Sequence, residues 1–292
     1  MRKLVLLGLV GFVAQLIDGA LGMAYGVTST TLLVTTGVAP AAASASVHLA
    51  EVGTTLASGA AHWRFGNINW RVVGLMTVPG ALAAFFGAVA LSSISAETAV
   101  PLISAFLFCL GAYILLRFAR PRPKPRSRRP LPWFFLSPLG GFAGFMDAAG
   151  GGGWGPIGTT TLLSSGRMEP RQVVGSVDAA EFLVSVGASA GFLVALDSSD
   201  LHVAWLFALL AGGLVAAPIA AWLVRKLPAR ILGTAVGGLI LVTNARTFGE
   251  AVGADADLVL GVVLALALVW IAAVAAAVAG NRRDRQLAAE AA

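Results

Sequence analysis

Long apolar runs separated by short polar breaks make up most of the chain. About twenty apolar residues cross roughly 30 Å of hydrocarbon. Runs near that length recur over residues 4–22, 41–62, 72–91, 98–118, 131–150, 172–196, 202–224, 231–248 and 258–280, and each predicts a transmembrane helix. Two shorter apolar pieces, 23–37 and 154–165, fall below spanning length and are rich in Thr and Gly. They read as re-entrant or broken helices, because irregular backbone at membrane depth is tolerated only against protein or a water-filled cavity.

Composition agrees with that reading. Of 292 residues, 58% are hydrophobic and 12% charged, and the mean hydropathy is +0.85, which excludes an ordinary soluble domain. Because the apolar runs recur from end to end, a lone signal peptide cannot account for them. The net charge of +6 arises from Lys and Arg placed almost entirely between the runs, where they set orientation, so nothing calls for nucleic acid. The single cysteine, Cys109, has no partner within the chain, and His48, His62 and His202 lack ligand spacing. No metal centre, cofactor or nucleotide-binding loop is expected.

The chain repeats itself. Asp18 to Gly37, "DGALGMAYGVTSTTLLVTTG", aligns without a gap on Asp147 to Gly166, "DAAGGGGWGPIGTTTLLSSG". After a one-residue insertion, Pro40 to Ala60 aligns on Pro170 to Ala190, and 14 of the 41 positions are identical. Asp18 matches Asp147, Gly26 matches Gly155, and Glu51 matches Glu181. The predicted organisation is a first transmembrane repeat over 1–118, a basic linker over 119–130, a second repeat over 131–250, a further helix over 251–280 and a tail over 281–292.

The stretch "RFARPRPKPRSRRP", Arg117 to Pro130, carries seven basic residues and no acid, which places it in the cytoplasm. Alternation then puts Arg64, Arg71, Arg225, Lys226, Arg230 and the tail inside, and Glu97, Asp197, Asp200, Glu250, Asp255 and Asp257 outside. Arg2 and Lys3 run against the pattern. For Gly166 to Pro170 to lie inside, residues 131–165 must form a hairpin. The same hairpin over 4–37 gives each half an odd number of crossings, and so opposite orientations. The expected fold is an all-α polytopic membrane protein of two homologous halves, inverted-topology repeats with broken or re-entrant hairpins, plus a C-terminal helix.

Interrupted helices near the midplane of inverted-repeat transporters present freed N–H groups to anions. Gly22, Gly26, Thr28, Ser29, Thr30 and Thr31 fit that role in the first half, and Gly152, Gly153, Trp154, Gly155, Thr159, Thr160 and Thr161 in the second. The plainer alternative is that the glycines only let helices approach closely. Asp18 and Asp147 precede the breaks and read as caps that pin the hairpins. Glu51 and Glu181 sit mid-span, where charge is costly, and are candidates for proton coupling or gating. His48 and Asp178 lie three residues before them, on the same face, as a relay or as a satisfied polar pair. No Lys or Arg occupies the centre of a span. "GASAG", Gly187 to Gly191, matches a nucleophile-elbow pattern at Ser189, but it lies in a hydrophobic run rather than at a strand–helix turn.

These residues carry a resemblance. "GFVAQLIDGALGMAYGVTSTTLL" with "PAAASASVHLAE", and "GFAGFMDAAGGGGWGPIGTTTLLSSG" with "PRQVVGSVDAAEF", resemble the doubled motif of the sulfite exporter TauE/SafE family over nearly the whole chain. The resemblance implies a secondary transporter, an exporter of small sulfur-containing anions such as sulfite, sulfonates or related organic acids. The expected partners are the anionic substrate, the lipid bilayer and protons as coupling ion, and a homodimer is among the assemblies the sequence allows. The expected location is a bacterial-type inner membrane, multi-pass, with the linker and C-terminus cytoplasmic. A passive anion channel and an intramembrane enzyme are the rival classes.

Overall fold

The computed structural model describes residues 2–21, 23–119, 129–197, 203–223 and 229–290. Among them there is no strand. The helices are α1 (Arg2–Leu21), α2 (Tyr25–Thr35), α3 (Pro40–Arg64), α4 (Trp70–Ser92), α5 (Ala96–Ala119) and α6 (Trp133–Gly150). A π-helical turn (Trp154–Thr159) leads into α7 (Thr160–Ser165), followed by α8 (Pro170–Ala195), α9 (Val203–Leu223), α10 (Ala229–Ala251) and α11 (Ala256–Glu290). Gly22, linker residues 120–128, Asp200, His202, Arg225 and Lys226 lie outside the described residues.

Five of the described helices, α4, α5, α8, α10 and α11, are long and apolar enough to cross a membrane. The chain is thus an all-α polytopic membrane protein. α1 and α9 contribute shorter apolar stretches, Leu4–Asp18 and Val203–Ala216. α3 and α6 carry the polar residues and glycines of the repeat, which lower their hydropathy. The 11 residues of α2 reach only about 16 Å at 1.5 Å per residue, half the hydrocarbon thickness.

Glycines decide which helices touch most closely. A side chain at Gly11 would fall on the Leu209 carbonyl, and one at Gly212 on the Gly8 carbonyl, so α1 and α9 meet backbone to backbone. α6 meets α4 in the same way, through Gly140 against Met76 and Gly144 against Gly80. α5 and α10 close through Gly111 and Gly237. The opening helix of each half therefore lies along a helix of the other half.

Pro79 inside α4 removes an N–H and so frees the carbonyl of Leu75, four residues earlier. The Ser137 hydroxyl of α6 donates to that carbonyl at 3.0 Å, which satisfies it inside the bundle where water is scarce. Outward-facing Val78, Leu82 and Phe86 are exposed on the same helix, as a lipid face requires. α11 packs on α10 from outside, and its most apolar stretch has no buried residue. It also runs ten residues beyond the predicted span end at 280, because hydropathy marks the lipid boundary while Arg, Gln, Leu and Ala continue to favour helix.

Candidate functional site

The second-half break is built by glycine and one aspartate. α6 ends at Gly150; Gly151 and Gly152 then take φ of 73° and 141°, conformations that side chains resist. The Asp147 carbonyl accepts from the Gly152 amide at 2.8 Å. Its Oδ1 accepts from the amides of Gly153 and Trp154 at 2.7 and 2.9 Å, so one carboxylate satisfies two backbone donors at the start of the π-turn. Trp154 is fully buried; its Nε1–H donates to the Val177 carbonyl at 2.9 Å, and its ring fills the notch at Gly80. Thr160 Oγ1 donates to the Pro156 carbonyl and accepts from the Tyr113 hydroxyl of α5 at 2.8 Å.

The first-half break is leaner. Asp18 Oδ1 accepts from one amide, Tyr25, at 3.2 Å, and Ala24 turns the chain at φ 97°. Thr28, Ser29 and Thr30 follow, all buried; Ser29 bonds the Tyr25 hydroxyl, and the hydroxyls of Thr28 and Thr30 have no hydrogen-bond partner among the described residues. Thr31 accepts from Asn244 Nδ2 of α10 at 3.0 Å. Thr31 and Thr160 are equivalent in the repeat, and each is tied to the last helix of the opposite half.

The two breaks touch. A side chain at Gly26 would lie 3.2 Å from the Gly152 Cα and 3.1 Å from Glu51 Oε1. One at Gly155 would lie 2.9 Å from the Met23 Cβ, one at Gly151 would meet Thr30, and one at Gly152 would fall on the Val27 amide. In this conformation backbone seals against backbone. Thr159 is buried beside this contact, whereas Thr161 is half-buried and faces a separate cavity of about 750 Å³ lined by Leu131, Phe134, Phe135, Ser165 and Arg167.

α3 and α8 deliver the acids. Ser44 Oγ donates to the Ala148 carbonyl at 3.0 Å, which docks α3 on the end of α6. One turn on, His48 Nδ1 lies 2.8 Å from Glu51 Oε2 and 3.8 Å from Asp147 Oδ2, while Nε2 lies 3.4 Å from the Asp147 carbonyl. The ring stacks on Phe192 with centroids 6.1 Å apart. Ser185 of α8 donates to Glu51 Oε2 at 3.3 Å. Asp178 is buried and takes a hydrogen bond from Ser58, leaving Oδ2 without a partner. Glu181 is half-buried, within electrostatic reach of Glu51, Asp18, Asp147 and Asp178, and Asp18 in turn feels Asp178.

The pattern of polar residues thus converges on one junction between the halves, and that junction carries a family signature. The sulfite exporter TauE/SafE family matches residues 7–247, which contain both breaks and every acid just described. The chain belongs to the TauE/SafE family. It is 48% identical over 276 residues, 94% of this chain and 92% of the other, to the "Probable membrane transporter protein YtnM" of Bacillus subtilis (strain 168). No solved structure matches. TauE/SafE proteins are membrane transporters, so the chain is a transporter and not an enzyme; Ser189 sits within helix α8, without the turn a nucleophile elbow requires.

Four residues of this TauE/SafE junction escape a reading of the repeat: Ser44, Tyr113, Ser185 and Asn244. Asn244, an amide inside an apolar run, carries the clearest signal. The others are residue types that membrane helices use freely, and only the tertiary contact distinguishes them.

Proposed function

We propose that this TauE/SafE chain is a secondary transporter that exports small sulfur-containing anions, such as sulfite, sulfonates or related organic acids, by alternating access. The cargo is held where the two breaks meet. One observation carries the reading: Gly26 and Gly152 face each other beside the buried, unpartnered hydroxyls of Thr28 and Thr30. Such hydroxyls are donors an oxyanion can use, and unsatisfied buried donors are costly unless a ligand takes them.

The packing supports inverted-topology repeats, because α1 lies on α9 as α6 lies on α4, and the Thr31–Asn244 tie mirrors Thr160–Tyr113. Rocking of the halves would open the sealed contact to one side at a time. Gly26, Thr28, Ser29, Thr30 and Thr31 line the junction from one half, and Gly152, Gly153, Gly155, Thr159 and Thr160 from the other, while Thr161 faces the separate cavity and Gly22 lies outside the described residues. Trp154 shapes the break from behind. Asp18 and Asp147 pin the hairpins. Glu51 and Glu181, with His48 and Asp178, serve proton coupling or gating as the halves move. The linker and C-terminus face the cytoplasm.

The test is flux in proteoliposomes across sulfite, thiosulfate, taurine, sulfoacetate and simple carboxylates, with and without a pH gradient. The expected result is uphill movement of one or more sulfur anions driven by the gradient. Flux of carboxylates alone would move the cargo away from sulfur, and strictly downhill flux would make the protein a channel.

A further inference from the structure

The junction proposed for an anion is lined by Asp18, Glu51, Asp147, Asp178 and Glu181, and no Lys or Arg lies in the middle of a span to balance them. An anion beside that many acids is held only where protons or a cation offset their charge. The geometry around His48 says where one fits.

His48, Glu51 and Asp147 are all buried, at 0%, 1% and 2% exposure, and each offers a ligand atom within 4.8 Å of the others. The Asp147 carbonyl can only accept, so the His48 Nε2 that faces it at 3.4 Å carries the hydrogen. When Nδ1 carries no hydrogen its lone pair faces two carboxylate oxygens, at 2.8 and 3.8 Å. Three acceptors facing one another in a buried space need either a proton or a metal ion among them. Asp147 Oδ2 and Glu51 Oε1 also lack any hydrogen-bond partner among the described residues.

We propose that His48, Glu51 and Asp147 bind one divalent transition-metal ion of the zinc or cobalt class. Imidazole nitrogen with two carboxylates suits such ions, whereas magnesium, calcium and sodium prefer oxygen alone. The backbone carbonyl on Nε2 fixes the ring as outer partners do in metal centres, and Ser185 orients Glu51. Three protein ligands leave a tetrahedral ion one position for water or an anion. The equivalent group in the other half has Asp178 in place of His48 and offers no nitrogen ligand. The metal site stands on this geometry alone; its role as counter-charge for the cargo rests on the transporter reading.

The test uses the full chain in detergent, stripped with chelator and titrated with Co2+, followed by its d–d absorption and by metal content after gel filtration. One ion per chain is expected. His48→Asn and Glu51→Gln should each lower retained metal at least tenfold, and Ser185→Ala should weaken affinity by roughly tenfold. Because substitutions at the site can impair folding, a His62→Gln, His202→Gln double variant keeps His48 as the only histidine and leaves the site untouched. Loaded with Cu2+, it should show imidazole nitrogen coupling by electron spin resonance. Wild-type chain that binds no Co2+, or a double variant without nitrogen coupling, overturns the site in favour of a doubly protonated His48 between the carboxylates. Anion flux that persists in metal-free protein would remove the counter-charge role while leaving the transporter intact.

Discussion

At the second break, Asp147 takes two amides at 2.7 and 2.9 Å and glycines supply both left-handed residues. At the first, Asp18 takes one amide at 3.2 Å, and Ala24 is the one non-glycine with positive φ among the described residues. The two sites descend from one pattern and sit against each other, yet one is braced and the other strained. The larger buried cluster surrounds Trp154 and takes in Met23, Ala24 and Val27 of the first break, while Tyr25, Leu33 and Val34 of α2 belong to the smaller one. Under the transporter reading proposed above, the second break is the fixed wall of the junction and the first is the part that yields.

Gly152→Ala should have the largest effect, a loss of about 3 kcal/mol or more, since it adds backbone strain to a collision with the Val27 amide. Thermal unfolding in detergent reads it; a variant as stable as wild type would mean the breaks separate freely. Next, Asp147→Ala should cost about 3 kcal/mol and Asp18→Ala about 1.5 kcal/mol, following two charged hydrogen bonds against one longer bond. Equal losses would erase the contrast between wall and moving part.

The ties to α5 and α10 come third. Tyr113→Phe removes the hydroxyl bond to Thr160 and should cost about 1 kcal/mol, with a similar loss for Asn244→Leu at Thr31. If only one of the two matters, the mirrored ties are not equivalent. The smallest effect is a gain: Ala24→Gly relieves a strained φ and should stabilise by about 0.5 to 1 kcal/mol after the added backbone entropy is counted. A lower melting temperature would show that Ala24 is held by packing instead.

Hydropathy made the helices legible because lipid imposes one length on every span. α3 begins at Pro40 and α8 at Pro170, where the repeat placed matching prolines, and the short pieces became α2 and the π-turn with α7. The acids beside the glycine runs were visible for the same reason: charge in an apolar run has few explanations. What could not be read was which acids meet. His48 announces Glu51 by its spacing of three, but its approach to Asp147, 99 residues away, depends on α3 docking on α6 through Ser44. The histidines showed no metal spacing in the sequence because the proposed ligands come from two helices of different halves.

The clasp of α1 by α9 reaches back to how the protein is made. About 180 residues separate the end of α1 from the start of α9, so at 5–20 residues per second the first helix waits on the order of ten to forty seconds for its neighbour. During that interval the glycine face at Gly8 and Gly11 lies open in the bilayer. Nascent chains should therefore depend on an insertion chaperone to shelter α1 until the second half arrives.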